Sequence, residues 1–422
     1  MWKPLDVDTW IEGRRKSLEG VRTSVQNIID KVRTGGDAAL REFASKYAET
    51  GTEEVWVTPE EIDGAYDLVD PQLVESLIEA EARITRYHEL QRPRDLWLQE
   101  VEPGIVLGEK VTPLDRVGIY VPGRRAAYPS SVLMCAIPAQ VAGVKDICCC
   151  SPPPIHPLTL VACDIVGVEE IYRAGGAQAI AAMALGTEMI RPVQKIVGPG
   201  NVYVTMAKML LREQVEIDFP AGPSEIAILA DASAHPSFIA ADILAQAEHD
   251  PDAGCILVTT DAKLALKVGK EVERLTSIAE RKDIITQALR NSGYLVVSDL
   301  EEGVQAIDRI APEHLSIQVS DSLPVLNRVR HAGAIFIGPY TPVASGDYAG
   351  GTNHVLPTAG YATTYSGLDV AHFCKRISVE MLDREGLSTI APVIEALATA
   401  EGLHAHADSV RIRLDTERNE DQ

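Results

Sequence analysis

Residues 117–150 read VGIYVPGRRAAYPSSVLMCAIPAQVAGVKDICCC. A short apolar run, 117–121, stops at Pro122-Gly123. A segment rich in Ala, Leu and Met follows, and a second short apolar run, 146–150, closes the stretch. Strand, helix and strand in succession form a β-α-β unit, which requires parallel strands. The rhythm continues outward. Apolar runs at 170–173, 195–197 and 226–230, then at 255–258, 294–297, 315–319 and 334–337, alternate with helical patterns. The reading is α/β, with two parallel-sheet units.

On either side of this core the pattern is helical. Residues 1–115 are mostly helical on spacing, with Val21, Val25, Ile28, Ile29 and Val32 on one stripe and Gly35-Gly36 as a stop. Thr58-Pro59-Glu60-Glu61 has the form of a capping box, and Asp70-Pro71 repeats the cap-plus-proline start. From residue 364 onwards the pattern reads as helical again. The expected division is an N-terminal arm at 1–25 and a discontinuous α/β domain made of 26–115 and 226–363. A second α/β domain spans 116–225, and a helical tail spans 364–422.

Composition limits the partners. The 422 residues are 46% hydrophobic and 24% charged, and 39 basic against 61 acidic side chains give a net charge of −22. Mean hydropathy is +0.01. Such a field repels phosphate backbones and anionic lipid, so neither nucleic acid nor a membrane surface is the expected partner. The start, Met1-Trp2-Lys3-Pro4-Leu5-Asp6, has no apolar signal-peptide core, and no stretch reaches the ~20 apolar residues of a membrane span. Seven cysteines, three of them consecutive at 148–150, include no C-x-x-C pair. Free thiols in a reducing cytoplasm are expected.

Several constellations carry possible chemistry. Pro122-Gly123-Arg124-Arg125, Gly175-Gly176-Ala177-Gln178 and Gly198-Pro199-Gly200-Asn201 all open helices after strands. Glycine lets backbone approach a ligand, and a helix start offers N–H groups to phosphate. Any strand-to-helix turn favours glycine, however, and the dinucleotide fingerprint G-x-G-x-x-G is missing. Gln246 and His249 lie three apart near a helix end, where an amide oxygen and an imidazole can reach one metal. The same pair is also an ordinary solvated helix terminus. Glu313-His314 sets two titrating groups side by side, suited to acid/base work or to a plain turn. Ser345-Gly346-Asp347-Tyr348 and Asn353-His354 are further loop groups. These groups and Glu313-His314 are each expected at or just after a strand or strand-like apolar run. Glu401-Gly402-Leu403-His404-Ala405-His406 in the tail is as readily an exposed helix end as a pair of ligands.

Taken together, these motifs resemble the histidinol dehydrogenase family. The resemblance rests on Gly118-Ile119-Tyr120-Val121-Pro122-Gly123, Gly175-Gly176-Ala177-Gln178 and Gly198-Pro199-Gly200-Asn201. It continues through Ala221-Gly222-Pro223-Ser224-Glu225, Gln246-Ala247-Glu248-His249 and Pro312-Glu313-His314-Leu315. Gly346-Asp347-Tyr348 and Asn353-His354-Val355-Leu356-Pro357-Thr358 complete it, all in family order. It implies two incomplete Rossmann-like domains and a zinc-dependent, NAD-linked oxidation of L-histidinol through L-histidinal to L-histidine. It further implies one Zn2+ per subunit held by Gln246, His249, Asp347 and His406, with Glu313 and His314 as the acid/base pair. Substrate contacts would be Ser224, His354 and Glu401 together with Gln246, His249, His314, Asp347 and His406. Coenzyme contacts would be Tyr120, Gln178 and Asn201. An intertwined homodimer would place Glu401 and His406 in the site of a second copy. Arg124 stands where the family commonly has a second glycine, and Tyr365 and Cys135 also depart from the usual pattern.

Three other readings remain at this point. A paralogue with the same site would oxidise another small polar alcohol, but should alter Ser224, His354 or Glu401. A zinc hydrolase would have no use for three glycine junctions. An aldehyde dehydrogenase with Cys135 or Cys148 as nucleophile would need a base, and neither has one nearby in sequence.

Overall fold

The computed structural model describes residues 2–14, 19–47, 54–123, 127–220 and 222–415. Its strands are β1 (Leu96–Glu102), β2 (Ile105–Pro113), β3 (Arg116–Tyr120), β4 (Asp146–Ser151), β5 (Glu170–Arg173), β6 (Lys195–Val197) and β7 (Glu216–Ile217). They continue as β8 (Glu225–Ala230), β9 (Gly254–Thr259), β10 (Gly293–Val296), β11 (His314–Gln318), β12 (Ala334–Ile337) and β13 (Cys374–Leu382). All nine strands expected from the alternation are present. The two-residue edge strand β7 was not foreseen, being too short to carry a pattern.

Two five-stranded sheets result, ordered β5-β4-β3-β6-β7 and β10-β9-β8-β11-β12. Every pairing within them is parallel. Their topologies are the same: three strands step one way, then the chain returns to the other side of the first strand. The order therefore reverses between β3 and β6 in one sheet and between β8 and β11 in the other. Strands β8 and β9 are buried along their whole length. That is the mark of a parallel sheet covered on both faces.

The helix Glu19–Tyr47 packs on Gly176–Leu185 and Val202–Leu210, while Pro59–Tyr66 and Pro71–Glu89 pack on Pro157–Ile165 and Pro129–Ala142. These contacts differ from the expected grouping of 26–115 with 226–363. The stripe of Val25, Ile29 and Val32 shares a core cluster with Ile180, Met183 and Ala207, so it covers the β3–β7 sheet instead. Gly36 breaks the long helix with φ +48 and ψ −133, as the glycine pair led us to expect. The capping box forms as read: Glu61 N–H donates to Thr58 Oγ1 at 3.3 Å, and Thr58 N–H to Glu61 Oε2 at 3.0 Å. At the other sheet, Leu5 N–H donates to the Tyr294 carbonyl and Tyr294 N–H to that of Lys3, covering the β10 edge.

The chain divides into two compact units, residues 1–91 with 114–373, and 92–113 with 374–422. The second unit contains an antiparallel sheet, β1-β2-β13, with the helices Arg384–Ala400 and His404–Asp415. This corrects the helical reading of residues 1–115 and 364–422, since three strands lie within them. Strand β1 is exposed at all seven positions, so no buried face gave it a pattern to read. In β13, Ile377, Val379 and Met381 do alternate with polar neighbours, and that signal could have been found. Among the described residues, no helix is long and apolar enough to cross a membrane.

Candidate active site

The first half of the site lies at the C-terminal edge of the β3–β7 sheet. Tyr120 ends β3, and its hydroxyl accepts the Gly176 N–H at 3.0 Å, tying one glycine junction to another. Gly198 follows β6 with φ +116, and its Cα packs so closely on the Tyr120 carbonyl that no Cβ fits. Asn201 caps the helix Val202–Leu210, its Oδ1 accepting the Tyr203 and Val204 N–H groups at 3.0 and 3.2 Å. Gln178 is half-buried in the first turn of Gly176–Leu185. Arg124 and its neighbour Arg125 lie outside the described residues.

The second half is built on the opposite kind of edge. The helix Leu300–Ile310 ends at Ala311, whose φ of +47 is left-handed, and Pro312 prevents its continuation. Glu313 and His314 come next, both buried. His314 opens β11, which corrects the expectation of a site after a strand: these groups precede one. Glu225 opens the neighbouring β8, and its backbone holds both. Its N–H donates to Glu313 Oε2 at 2.8 Å, and its carbonyl accepts from His314 Nδ1 at 3.1 Å. This sets the tautomer of a neutral imidazole, leaving Nε2 without the proton. His314 Nε2 is buried without a hydrogen-bond partner, 3.9 Å from Asp347 Oδ1. Burial pushes the imidazole pKa down, but Glu313, with Oε2 3.5 Å from Nδ1, and Asp347 pull harder and raise it to about 9.

The remaining expected groups fall on nearby elements. Gln246 is buried in the last turn of the helix Pro236–Ala247, and its Nε2 has no hydrogen-bond partner. His249 follows that helix and is exposed. Asp347 sits on the helix Val343–Tyr348, which packs against Pro236–Ala247. His354 Nδ1 donates to the Asp347 carbonyl at 2.9 Å, and burial lowers the pKa of its imidazole. Glu401 and His406 belong to the second unit and are exposed. Among the described residues, no three His, Cys, Asp or Glu side chains of the single chain gather as a metal site.

One cavity joins the two halves. Gly198 and Gly200 line it from the β3–β7 sheet, Ser224 and Glu313 from the start of β8 and β11, and His354 from the coil after Val343–Tyr348. The cysteines stay outside this chemistry. Cys135 and Cys148 are buried, and burial raises both thiols, Cys148 to about 12, which removes the nucleophile that the aldehyde-dehydrogenase reading requires. Sequence reasoning did not single out Glu225, Lys208 or Asp218. The available signals were a charged residue opening the apolar run 226–230 and a lysine inside the apolar helix 202–210.

The family model for histidinol dehydrogenase matches residues 12–414. The chain belongs to the histidinol dehydrogenase family. It is 48% identical over 405 residues to the histidinol dehydrogenase of Methanosarcina barkeri, covering 95% of this chain and 94% of that one. Identity to the Geobacillus kaustophilus histidinol dehydrogenase is also 48%, over 402 residues, covering 94% and 95%. The crystal structure of the Elizabethkingia anophelis histidinol dehydrogenase superposes with a TM-score of 0.94 at 36% identity, covering 98% of each chain.

Proposed function

We propose that the chain catalyses the zinc-dependent, NAD-linked, four-electron oxidation of L-histidinol through L-histidinal to L-histidine in the cytoplasm. The observation that carries this reading is the cavity in which the Gly198–Gly200 turn faces Glu313, Ser224 and His354.

The residues present fit a zinc ion. Gln246 is buried in the last turn of its helix, where its amide oxygen would be the donor, Asp347 lies beside an unpartnered imidazole nitrogen, and His249 comes just after that helix. Two nitrogens and two oxygens, with His406 supplied by a second copy, form a donor set suited to zinc. Bound zinc would grip the imidazole and amine of histidinol and, by engaging the Asp347 carboxylate, weaken the pull that keeps His314 protonated. NAD, held against the turns bearing Tyr120, Gln178 and Asn201, would accept one hydride in each of two rounds.

The chain's own groups handle the protons. His314 Nε2 takes the alcohol proton in the first oxidation. Glu313 removes a proton from water as it adds to the aldehyde, giving the hydrate, and His314 takes a hydrate proton in the second oxidation. Ser224, His354 and a second copy's Glu401 hold the substrate. A homodimer is supported by Leu96, Trp97, Leu98, Val101, Ile377 and Met381, apolar side chains left exposed on the β1-β2-β13 sheet.

Purified protein given histidinol should form two NADH per substrate consumed. A chelator should abolish the reaction and zinc should restore it. One NADH per substrate, or full activity in metal-free protein, would refute the reading.

A further inference from the structure

A buried ion pair lines the cavity, and neither oxidation uses it. Lys208 lies in the helix Val202–Leu210 and Asp218 just past β7, only 4% and 5% exposed. Lys208 Nζ donates to Asp218 Oδ1 at 2.8 Å, to its Oδ2 at 3.0 Å, and to the Gly198 carbonyl at 2.7 Å. Asp218 in turn accepts the Gly198 N–H at 2.9 Å and the Phe219 N–H at 2.9 Å. An ammonium has three N–H donors, so none is left for a ligand. What the pair grips is Gly198 itself, by its N–H and its carbonyl together. Gly198 needs such a hold: its φ is +116 and its Cα is pressed on the Tyr120 carbonyl at the point where the strand order reverses. Desolvation offsets much of the attraction within a buried pair, so fold stability alone is a weak reason for this one.

We propose that Lys208 and Asp218 are positioning residues for the coenzyme, locking the Gly198-Pro199-Gly200-Asn201 turn in the shape that NAD meets. The inference rests on the reading of that turn as the coenzyme side of the site.

The test uses the full-length, zinc-loaded enzyme. Lys208→Met combined with Asp218→Leu removes both charges at once, so no lone buried charge remains. The KM for NAD should rise at least ~10-fold from the loss of two fixed hydrogen bonds, with the KM for histidinol within about twofold of wild type. Zinc content should not change. Should the double variant not fold, Asp218→Asn keeps the shape but turns an NH2 toward Lys208 or the Gly198 N–H, and its KM for NAD should rise ~3-fold or more. Folded variants with an unchanged KM for NAD, or with equal rises for both substrates, would overturn the assignment. A wild-type enzyme that reduces no NAD with histidinol would instead remove the coenzyme reading beneath it.

Discussion

The two parallel sheets share one strand order but offer opposite edges to the cavity. The β3–β7 sheet contributes its C-terminal edge, at the reversal between β3 and β6, where ligands of open α/β sheets ordinarily sit. What it presents is mostly backbone: glycine turns and helix starts. The β8–β12 sheet contributes its N-terminal edge, and what it presents is titrating side chains. The difference has a physical origin in the ladder. Pairing of β8 with β11 begins at Ile226 and His314. One residue earlier, Glu225 turns its N–H and carbonyl to the side chains of Glu313 and His314. An unfinished ladder thus becomes a holder for the side chains of Glu313 and His314. One topology presents backbone turns at one edge and titrating side chains at the other.

If the second edge does the chemistry, substitutions there should reduce rate and those at the first should weaken coenzyme binding. The largest effect is expected from Glu313→Gln, which keeps an oxygen for the Glu225 N–H and removes only the charge. Oxidation of histidinal should fall by about 10²–10⁴-fold, and conversion of histidinol to histidinal by much less. The two half-reactions, followed separately by NADH absorbance, decide the matter. Equal losses would remove water activation from Glu313.

The next effect depends on the tail. Separately inactive His314→Asn and His406→Asn subunits, denatured and refolded together, should regain about a quarter of wild-type turnover, because mixed dimers carry one intact site. No recovery, with mixed dimers shown to be present, would mean that His406 serves its own chain.

Legibility follows the same contrast. The β3–β7 edge could be read because glycines at strand ends are a local signal, as at Gly175-Gly176 and Gly198-Pro199-Gly200. Nine of the ten parallel strands were legible because burial, complete in β3, β6, β8, β9 and β11, makes short, unbroken apolar runs. Glu313 and His314 were visible only as two adjacent residues. Nothing local says that Glu225, 88 residues before Glu313 in the chain, holds it. Lys208 and Asp218 are ten residues apart and meet only after folding. The β1-β2-β13 sheet stayed hidden because its strands come from opposite ends of the chain and one of them has no buried face.

A smaller effect contrasts two buried carboxylates. Asp218 is paired with Lys208, whereas Asp242, beneath the second edge, accepts the Val343 N–H at 3.4 Å. Burial raises Asp242 from 3.8 to about 6. A carboxyl with a raised folded-state pKa holds its proton more tightly when folded. Its contribution to stability is therefore full below about pH 4 and is lost as the pH rises through about 6. Asp242→Asn should abolish that decline, leaving the variant ~3 kcal/mol more stable than wild type at neutral pH and no more stable near pH 4. Denaturant titrations at both pH values measure this. A variant that gains nothing at neutral pH would show Asp242 to be compensated in the native protein.

The smallest expected effect tests the first edge most cleanly. Tyr120→Phe deletes the one oxygen that accepts the Gly176 N–H and leaves the ring, the strand and the glycines in place. One hydrogen bond to an uncharged donor is worth about 1 kcal/mol, so the KM for NAD should rise roughly fivefold. The KM for histidinol and the zinc content should stay at wild-type values, since neither depends on the β3 edge. This separation makes the small effect informative, because a general loosening of the fold would move all three. If histidinol binding weakens in step with NAD, the two edges are one mechanical unit, and the division between a binding half and a chemical half fails at the residue where it should be clearest.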